Sequence, residues 1–380
     1  MADNKQNTNP NVPNKGNVPR LRFTGYTDEW KNVKISDIAT IVGGGTPDTT
    51  IAEYWDGNIQ WFTPSEIGKS KYISKSERKI TQSGLNNSSA KILPQGTILL
   101  STRATIGECS IAMEECSTNQ GFQSLISKSN YNSEFVYYLI QTKKKDLIRN
   151  ACGSTFLEIS ANEVRKIKCR VPQINEQDKI TQLLSLIDKR IATQNKIIEQ
   201  LQSLIKGIVV SITSGKPNTN ISKCLVCKSS TLQENQIEKC GDYPVYGANG
   251  VCGYTDKADF DSPAILIVKD GSGVGNVRYV NGDYSVIGTQ NILTAQNGYC
   301  LKYIFYCLKA FNFVPYKTGM AIPHIYFKDY GKAKIYCPDF EKQVKIVSQI
   351  DLVETKIEIE TQLLNKYEEQ KNFLLSNMFI

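Results

Sequence analysis

Histidine is almost missing from this chain, whose 380 residues contain one, His324. It follows Ala321-Ile322-Pro323, and no serine or cysteine motif supplies a catalytic partner, so a hydrogen bond, structural or facing a ligand, is expected of it and not catalysis. Long apolar runs are missing too. No stretch reaches the roughly 18 apolar residues of a membrane span, and the N-terminus lacks a charged-then-apolar leader pattern, so a cytoplasmic protein is expected. Gly43-Gly44-Gly45-Thr46-Pro47 lacks the lysine and following helix of a phosphate-binding loop, and reads instead as a loop with a close backbone approach. Gly271-x-Gly273-x-Gly275 runs into Asn276 and strand-like Val277-Arg278-Tyr279-Val280 where a dinucleotide loop needs a helix, so a hairpin turn is expected. Pro338-Asp339-Phe340-Glu341-Lys342 resembles a nuclease carboxylate-lysine motif, but sits at a helix start and not on separate strands. The Pro-Pro-aromatic motif of amino-methyltransferases is absent as well. These gaps exclude the familiar enzyme sites, and no catalytic residue, cofactor or metal is expected.

Cysteine is present but unpaired in pattern: eleven residues, odd in number and scattered, suit a reducing compartment. Cys224 and Cys227 have the spacing of a zinc knuckle with Cys240 and Cys252 downstream, yet those two are no close pair, and small apolar thiols packed in a core are expected. A formal net charge of +8 permits a polyanionic partner without requiring one.

What the chain does have is a repeated seam. From Asp178 to Ile212, apolar residues alternate four and three apart: Ile180, Leu184, Ile187, Ile191, then Gln194 as the one polar break, then Ile198, Leu201, Ile205, Ile208 and Ile212. Such spacing keeps one stripe on one side of a helix and demands a partner helix. The partner lies 166 residues on: Ile346, Ile350, Val353, Ile357, Glu360, Leu364, Tyr367, Lys371, Leu374 and Met378 repeat the register, with Glu360 matching Gln194 (360 − 194). Charge at Lys371 and Glu360 predicts fraying or partner coverage of that second seam. Pro172 and Pro338 keep the offset (338 − 172), as do Gln177 and Gln343, and Asn175 and Asp339 are the candidate helix caps. The first helix is expected to stop at Ser214-Gly215-Lys216-Pro217 with glycine in the left-handed cap. Upstream, Gly153 falls on Gly319 and Ile159 on Ile325, so a globular domain followed by a long helix occurs twice.

In order, residues 1–18 read as a disordered tail and Val18 to Phe23 as the start of order. Asn58 to Thr63 and Ile98 to Arg103 read as strands, the second ending in a polar, basic turn at Thr105-Ile106-Gly107. Ser133 to Asn150 reads as one amphipathic helix whose Lys143-Lys144-Lys145 face is either solvated or on phosphate. The second copy repeats the order: the loop Asp242 to Gly250, a buried strand over Pro263 to Val268, the turn Lys269 to Gly275, and Gly288-Thr289-Gln290-Asn291-Ile292 matching Thr118 to Phe122. One fold is used twice with different loop chemistry.

Together, Gly43 to Pro47 with Ile59-Gln60-Trp61, Tyr243-Pro244-Val245-Tyr246-Gly247-Ala248-Asn249-Gly250, and the Pro and Gln that close each domain onto a long helix resemble the specificity subunit of type I restriction–modification systems. The resemblance implies α/β (α+β) target-recognition domains in tandem repeat, joined by two long helices that pair as an intramolecular antiparallel coiled coil with pseudo-twofold symmetry. It places target-recognition domains at 19–171 and 215–337 and the helices at 172–214 and 338–380. It also implies a non-catalytic subunit that reads a bipartite double-stranded DNA site, one half per domain. Two methyltransferase subunits would dock on the helices, with restriction subunits joining the full complex. About 35 helical residues at ~1.5 Å each span on the order of 50 Å, more than one duplex turn. The implied coiled-coil interface is Ile180, Leu184, Ile187, Ile191, Ile198 and Leu201 against Ile346, Ile350, Val353, Ile357 and Leu364.

Base reading uses amide, hydroxyl and guanidinium groups at loop tips. The candidate DNA-binding residues are Gly44, Gly45, Thr46, Trp61, Thr63, Ser65, Arg103, Thr105, Gln120, Ser154 and Thr155 in the first domain. In the second they are Tyr246, Asn249, Lys269, Asp270, Ser272, Gln290, Asn291 and the loop from Met320 to His324. A coiled-coil adaptor without DNA specificity is the alternative, and it would lack salt-sensitive duplex binding.

Overall fold

A computed structural model describes residues 16–153 and 157–380. The chain divides into two compact units, one comprising residues up to Thr193 with Leu363–Ile380, the other Gln194–Gln362. The tail expected over residues 1–18 lies outside the described residues up to position 15. From Gly16 the chain is placed, because the Asn17 carbonyl accepts from the Trp30 amide at 2.8 Å and its side chain donates to Glu29 at 3.2 Å.

The first unit is built on a five-stranded sheet in the order Ala39–Gly43, Gln123–Ser127, Ile98–Leu100, Cys109–Ala112, Tyr72–Ile73. Ile98, Leu99 and Leu100 are all buried, as a continuous apolar run in a central strand requires. A second sheet places Trp55–Phe62 between Arg78–Ile80, antiparallel, and Cys116–Thr118, parallel. The helix expected over Ser133 to Asn150 is instead two, Ser133–Thr142 and Lys144–Arg149. Lys143 at the break donates to the Ile380 carbonyl at 2.9 Å and Lys144 pairs with Glu108 at 2.5 Å, so both lysines have partners within the unit.

The second unit repeats the plan. Its main sheet runs Leu225–Ser229, Gln290–Ala295, Ala264–Val268, Val277–Val280, the same order as the first four strands above. Ala264–Val268 and Val277–Val280 pair antiparallel around the three glycines, so that segment is the expected hairpin. The smaller sheet sets Tyr243–Gly247 antiparallel to Gly250–Thr255 and parallel to Ser285–Val286, again matching the first unit. Cys224 is buried with its sulfur 3.8 Å from that of Cys337, and burial pushes the Cys227 thiol up to about 11.

The long helices are Ile174–Thr213 and Phe340–Met378. Asp339 caps the second, its carboxylate accepting from the Lys342 amide at 3.0 Å. Asn175 does not cap the first, because that helix starts one residue earlier and the Gln173 carbonyl already takes the Gln177 amide at 3.1 Å. Gln177 and Gln343 do equivalent work. Each buried amide donates to the carbonyl of the preceding proline, Pro172 at 3.0 Å and Pro338 at 2.8 Å. Each accepts at 3.0 Å from a backbone amide at the start of the short helix, Asn132 or Cys300. Gly215 is not in the left-handed region; a Cβ there would lie 2.5 Å from the Tyr336 ring, so close packing excludes a side chain.

Within the first unit, Ile180, Leu184 and Ile187 share a core with Leu374, Met378 and Phe379. Within the second, Ile205, Ile208 and Val209 meet Ile346, Val347 and Ile350. The two long helices therefore pack together, and antiparallel, since the start of one meets the end of the other. The expected fraying does not occur. Gln194 donates to the Glu360 carbonyl at 3.1 Å and to its carboxylate, so the two polar seam positions pair with each other, and Lys371 bonds Asp188 at 2.8 Å. Lys356 and Gln194 together hold the Glu360 carboxyl below its ordinary range.

Candidate nucleic-acid interface

In the first unit, the segment from Thr118 to Gly121 gathers three loops by backbone bonds. Thr118 accepts from the Gly45 amide at 2.8 Å, Asn119 donates to Phe62 at 3.0 Å, and Gly121 accepts from Thr102 at 2.8 Å. Thr46, Thr63, Ser65, Arg103, Thr105 and Gln120 are thereby brought to one end of the unit. Thr46 and Gln120 bond to each other through their side chains. Thr63 donates to Glu66 at 2.7 Å and lies 3.0 Å from the Ser65 hydroxyl. Arg103 is held by Glu158 at 2.9 Å.

Three candidates of this unit take part in its own packing. Trp61 is buried in a small core with Trp55, and its indole donates to the Gly45 carbonyl at 2.9 Å. A Cβ at Gly45 would stand 2.3 Å from the Ala90 amide, and one at Gly44 would stand 2.0 Å from the Asn119 carbonyl. The close approach expected of the glycines is thus to the unit's own loops. Ser154 and Thr155 lie outside the described residues.

The second unit gathers the corresponding loops. Ile287 donates to Tyr246 at 3.1 Å, Lys269 to Thr289 at 2.9 Å, Gly271 to Pro323 at 3.0 Å and Ile325 to Lys269 at 2.9 Å. Asn249 and Ser272 are exposed there, with Lys269, Asp270, Tyr246 and His324 half-buried. His324 makes the hydrogen bond expected of it, Nδ1 lying 2.7 Å from Asp270. Gln290 and Asn291 are both buried, one donating to the Tyr246 carbonyl and the other to the Tyr330 hydroxyl, each at 3.0 Å.

Sequence reasoning missed Arg278 and Lys309. With Ala248, Asn276 and Gln290 they line a cleft at this end, the Arg278 guanidinium lying 5.9 Å from the Tyr246 ring centre. Strand pairing alone brings Arg278 to the loops, and no local pattern marks it. Both ends offer hydroxyl, amide and cationic groups on rigid strands, an arrangement suited to reading a polyanion with a varied edge and not to bond-making.

Two copies of one mixed unit, each with a polar loop cluster and each sharing in a pair of long helices, define a tandem recognition protein. The profile of the type I restriction modification DNA specificity domain matches the chain twice, over residues 27–203 and 224–369. The chain belongs to that family. It is 24% identical over 364 residues to the EcoprrI specificity subunit of Escherichia coli, spanning 87% of this chain and 88% of that subunit. To the MjaIX specificity subunit of Methanocaldococcus jannaschii it is 40% identical over 183 residues, 46% of this chain and 42% of that one, so this match covers less than half of the relative. Two solved structures share the fold. The S subunit from M. genitalium superposes with a TM-score of 0.58 at 18% identity, over 96% of this chain and 99% of that one. A chain from a study of complex assembly in the type I R-M system gives 0.60 at 13%, over 92% and 97%. Among the described residues no helix is long and apolar enough to cross a membrane.

Proposed function

We propose that this chain is a cytoplasmic specificity subunit that reads a bipartite double-stranded DNA site, one half through each unit. The observation that carries this reading is the pair of loop clusters, built on the same strand order but furnished with unlike side chains. Thr46, Ser65, Arg103, Thr105 and Gln120 face one half-site, and Tyr246, Asn249, Lys269, Ser272 and Arg278 the other. The formal charge of +8 favours the phosphate backbone in both. The boundaries 19–171 and 215–337 for the recognition domains follow from the duplication, and the helix length between them sets the unspecified spacer.

The helices also serve as the platform for two methyltransferase subunits, with restriction subunits joining the assembly. Exposed leucines support this: Leu186 is 57% exposed and Leu352 72%, and they fall at the same position of the repeat (352 − 186). Two equivalent apolar anchors suit two copies of one partner. The test is co-purification with the methyltransferase subunit of the same host, followed by mapping of methylated adenines in DNA exposed to the complex. A two-part motif that changes in one half only when residues 20–170 are exchanged is the expected result. Stable assembly without sequence-dependent methylation would leave a coiled-coil adaptor.

A further inference from the structure

His324 and Asp270 belong to a device that the chain carries twice. In the second unit, the hairpin from Thr318 to His324 closes on two backbone bonds between its ends, at 2.9 and 2.7 Å, and His324 bridges to Asp270. In the first, Cys152 and Glu158 close the same way at 2.9 and 3.0 Å, and Glu158 bridges to Arg103. The offsets are those of the repeat: 166 for Thr318 (318 − 152) and His324 (324 − 158), and 167 for Asp270 (270 − 103). The next residue, Ile159 or Ile325, is buried and bonds back to the neighbouring loop at Thr102 or Lys269. The side chains that lock these segments pair across the same two positions in both, but with the acid on opposite sides: Arg103 with Glu158 at 2.9 Å, Asp270 with the His324 ring nitrogen at 2.7 Å.

Since these partners occupy each other, their common task is to hold the segment they close. In the second unit its turn is sharp: Gly319 has φ +88°, and a Cβ there would meet the Ile322 carbonyl at 2.3 Å. Beyond that turn Met320 is fully exposed and Ile322 largely so. Between its closing residues the hairpin carries no polar side chain, only the apolar tip Met320-Ala321-Ile322-Pro323, set beside Lys269 and within a polar loop cluster. Its chemistry fits the apolar parts of a base edge, above all the thymine methyl group.

We infer that Asp270 and His324 are a positioning pair, and that they hold the Thr318–His324 hairpin so that Met320 and Ile322 contact base edges of the half-site read by the second unit. This rests on the DNA-reading function proposed above. The test uses the full chain assembled with its methyltransferase subunits and a library of randomised duplexes, from which bound sequences are selected and read. Wild type returns a two-part motif. Asp270→Ala and His324→Ala each lower base preference in one half by about tenfold, while the other half, an internal check on folding, keeps its preference. Asp270→Arg combined with His324→Glu transplants the first unit's pair and restores most of the loss. Met320→Ala removes the same preference with the pair intact, and replacing thymine by deoxyuracil in that half reproduces its effect on wild type. Pair variants that leave both halves unchanged, or weaken every sequence equally, overturn the inference. A wild-type complex that selects no motif overturns the DNA-reading function itself, and this inference with it.

Discussion

Replacing Lys71 by Met should loosen the first unit from its long helix. The ammonium is 8% exposed and bonds Glu134 on the short helix at 2.6 Å, Tyr138 at 2.9 Å and Ser185 on the long helix at 2.8 Å. Burial costs that charge more than its partners return, so its affinity for a proton is lowered. Removing one member of a buried pair costs about 3–5 kcal/mol. Glu134 is 31% exposed and keeps bonds from Tyr72 at 2.6 Å and Ser185 at 2.7 Å, so the loss should be nearer about 2 kcal/mol. Urea denaturation, with hydrogen exchange over Ser133–Thr142 to localise the unfolding, measures it. The double variant with Glu134→Gln should cost about 1 kcal/mol less than the sum of the singles. Acid supplies a second signature. Burial raises the Glu134 carboxyl, but the bonds from Lys71, Tyr72 and Ser185 outweigh it and leave it below its ordinary 4.5. Its contribution is therefore complete above that value and lost as pH falls through the lower, folded one. Lys71→Met should flatten this acid loss. Additive single variants, or an unchanged acid limb, would refute the reasoning.

In the second unit, Gln343→Ala strands the Cys300 amide and the Pro338 carbonyl, and should cost about 1–3 kcal/mol in thermal or urea unfolding. Trp61→Phe should lower stability by about 1 kcal/mol through the lost bond to Gly45 and leave the salt slope of duplex binding unchanged. Arg278→Ala should instead reduce that slope by about 1 with stability intact, as titrations at several salt concentrations would show. Leu352→Glu should remove one methyltransferase subunit of two, read as a mass change in the purified complex, and adding Leu186→Glu should remove the other.

The helices were legible because their signal repeats. A four-three seam with a polar break at the same register in both copies specifies not only two helices but their mutual contact, and Gln194 does meet Glu360. Gln177 and Gln343 were marked by the same offset, although their task of tying proline carbonyl to short helix needed coordinates. The candidate interface was less legible. Trp61, Gln290 and Asn291 were expected at the surface by residue type, but an indole or amide is equally at home inside when a backbone carbonyl or a hydroxyl completes it. Arg278 escaped notice for the converse reason: its place is fixed by pairing Ala264–Val268 with Val277–Val280, a relation between strands and not within one.

The exchange of the acid between the two sides of the locks has a parallel at the helix joints. Tyr138 contacts Asp188 in the first unit, and Tyr306 donates to Glu354 at 2.7 Å in the second, an equivalent pair on equivalent elements. Around them the charges differ. The short helix carries an acid, Glu134, neutralised by Lys71 from a strand-end loop; its counterpart carries a base, Lys302, which meets Asp351 at 2.5 Å and Glu354 at 3.0 Å on the long helix itself. A joint or a lock needs complementary partners at fixed separation, not an acid at a fixed end, so both copies hold their geometry while the local potential changes. That freedom suits the proposed reading of two unlike half-sites. The frame that sets where each loop stands can stay constant, while the charge it lends to the neighbouring loops, cationic at Arg103 and anionic at Asp270, is free to suit a different sequence.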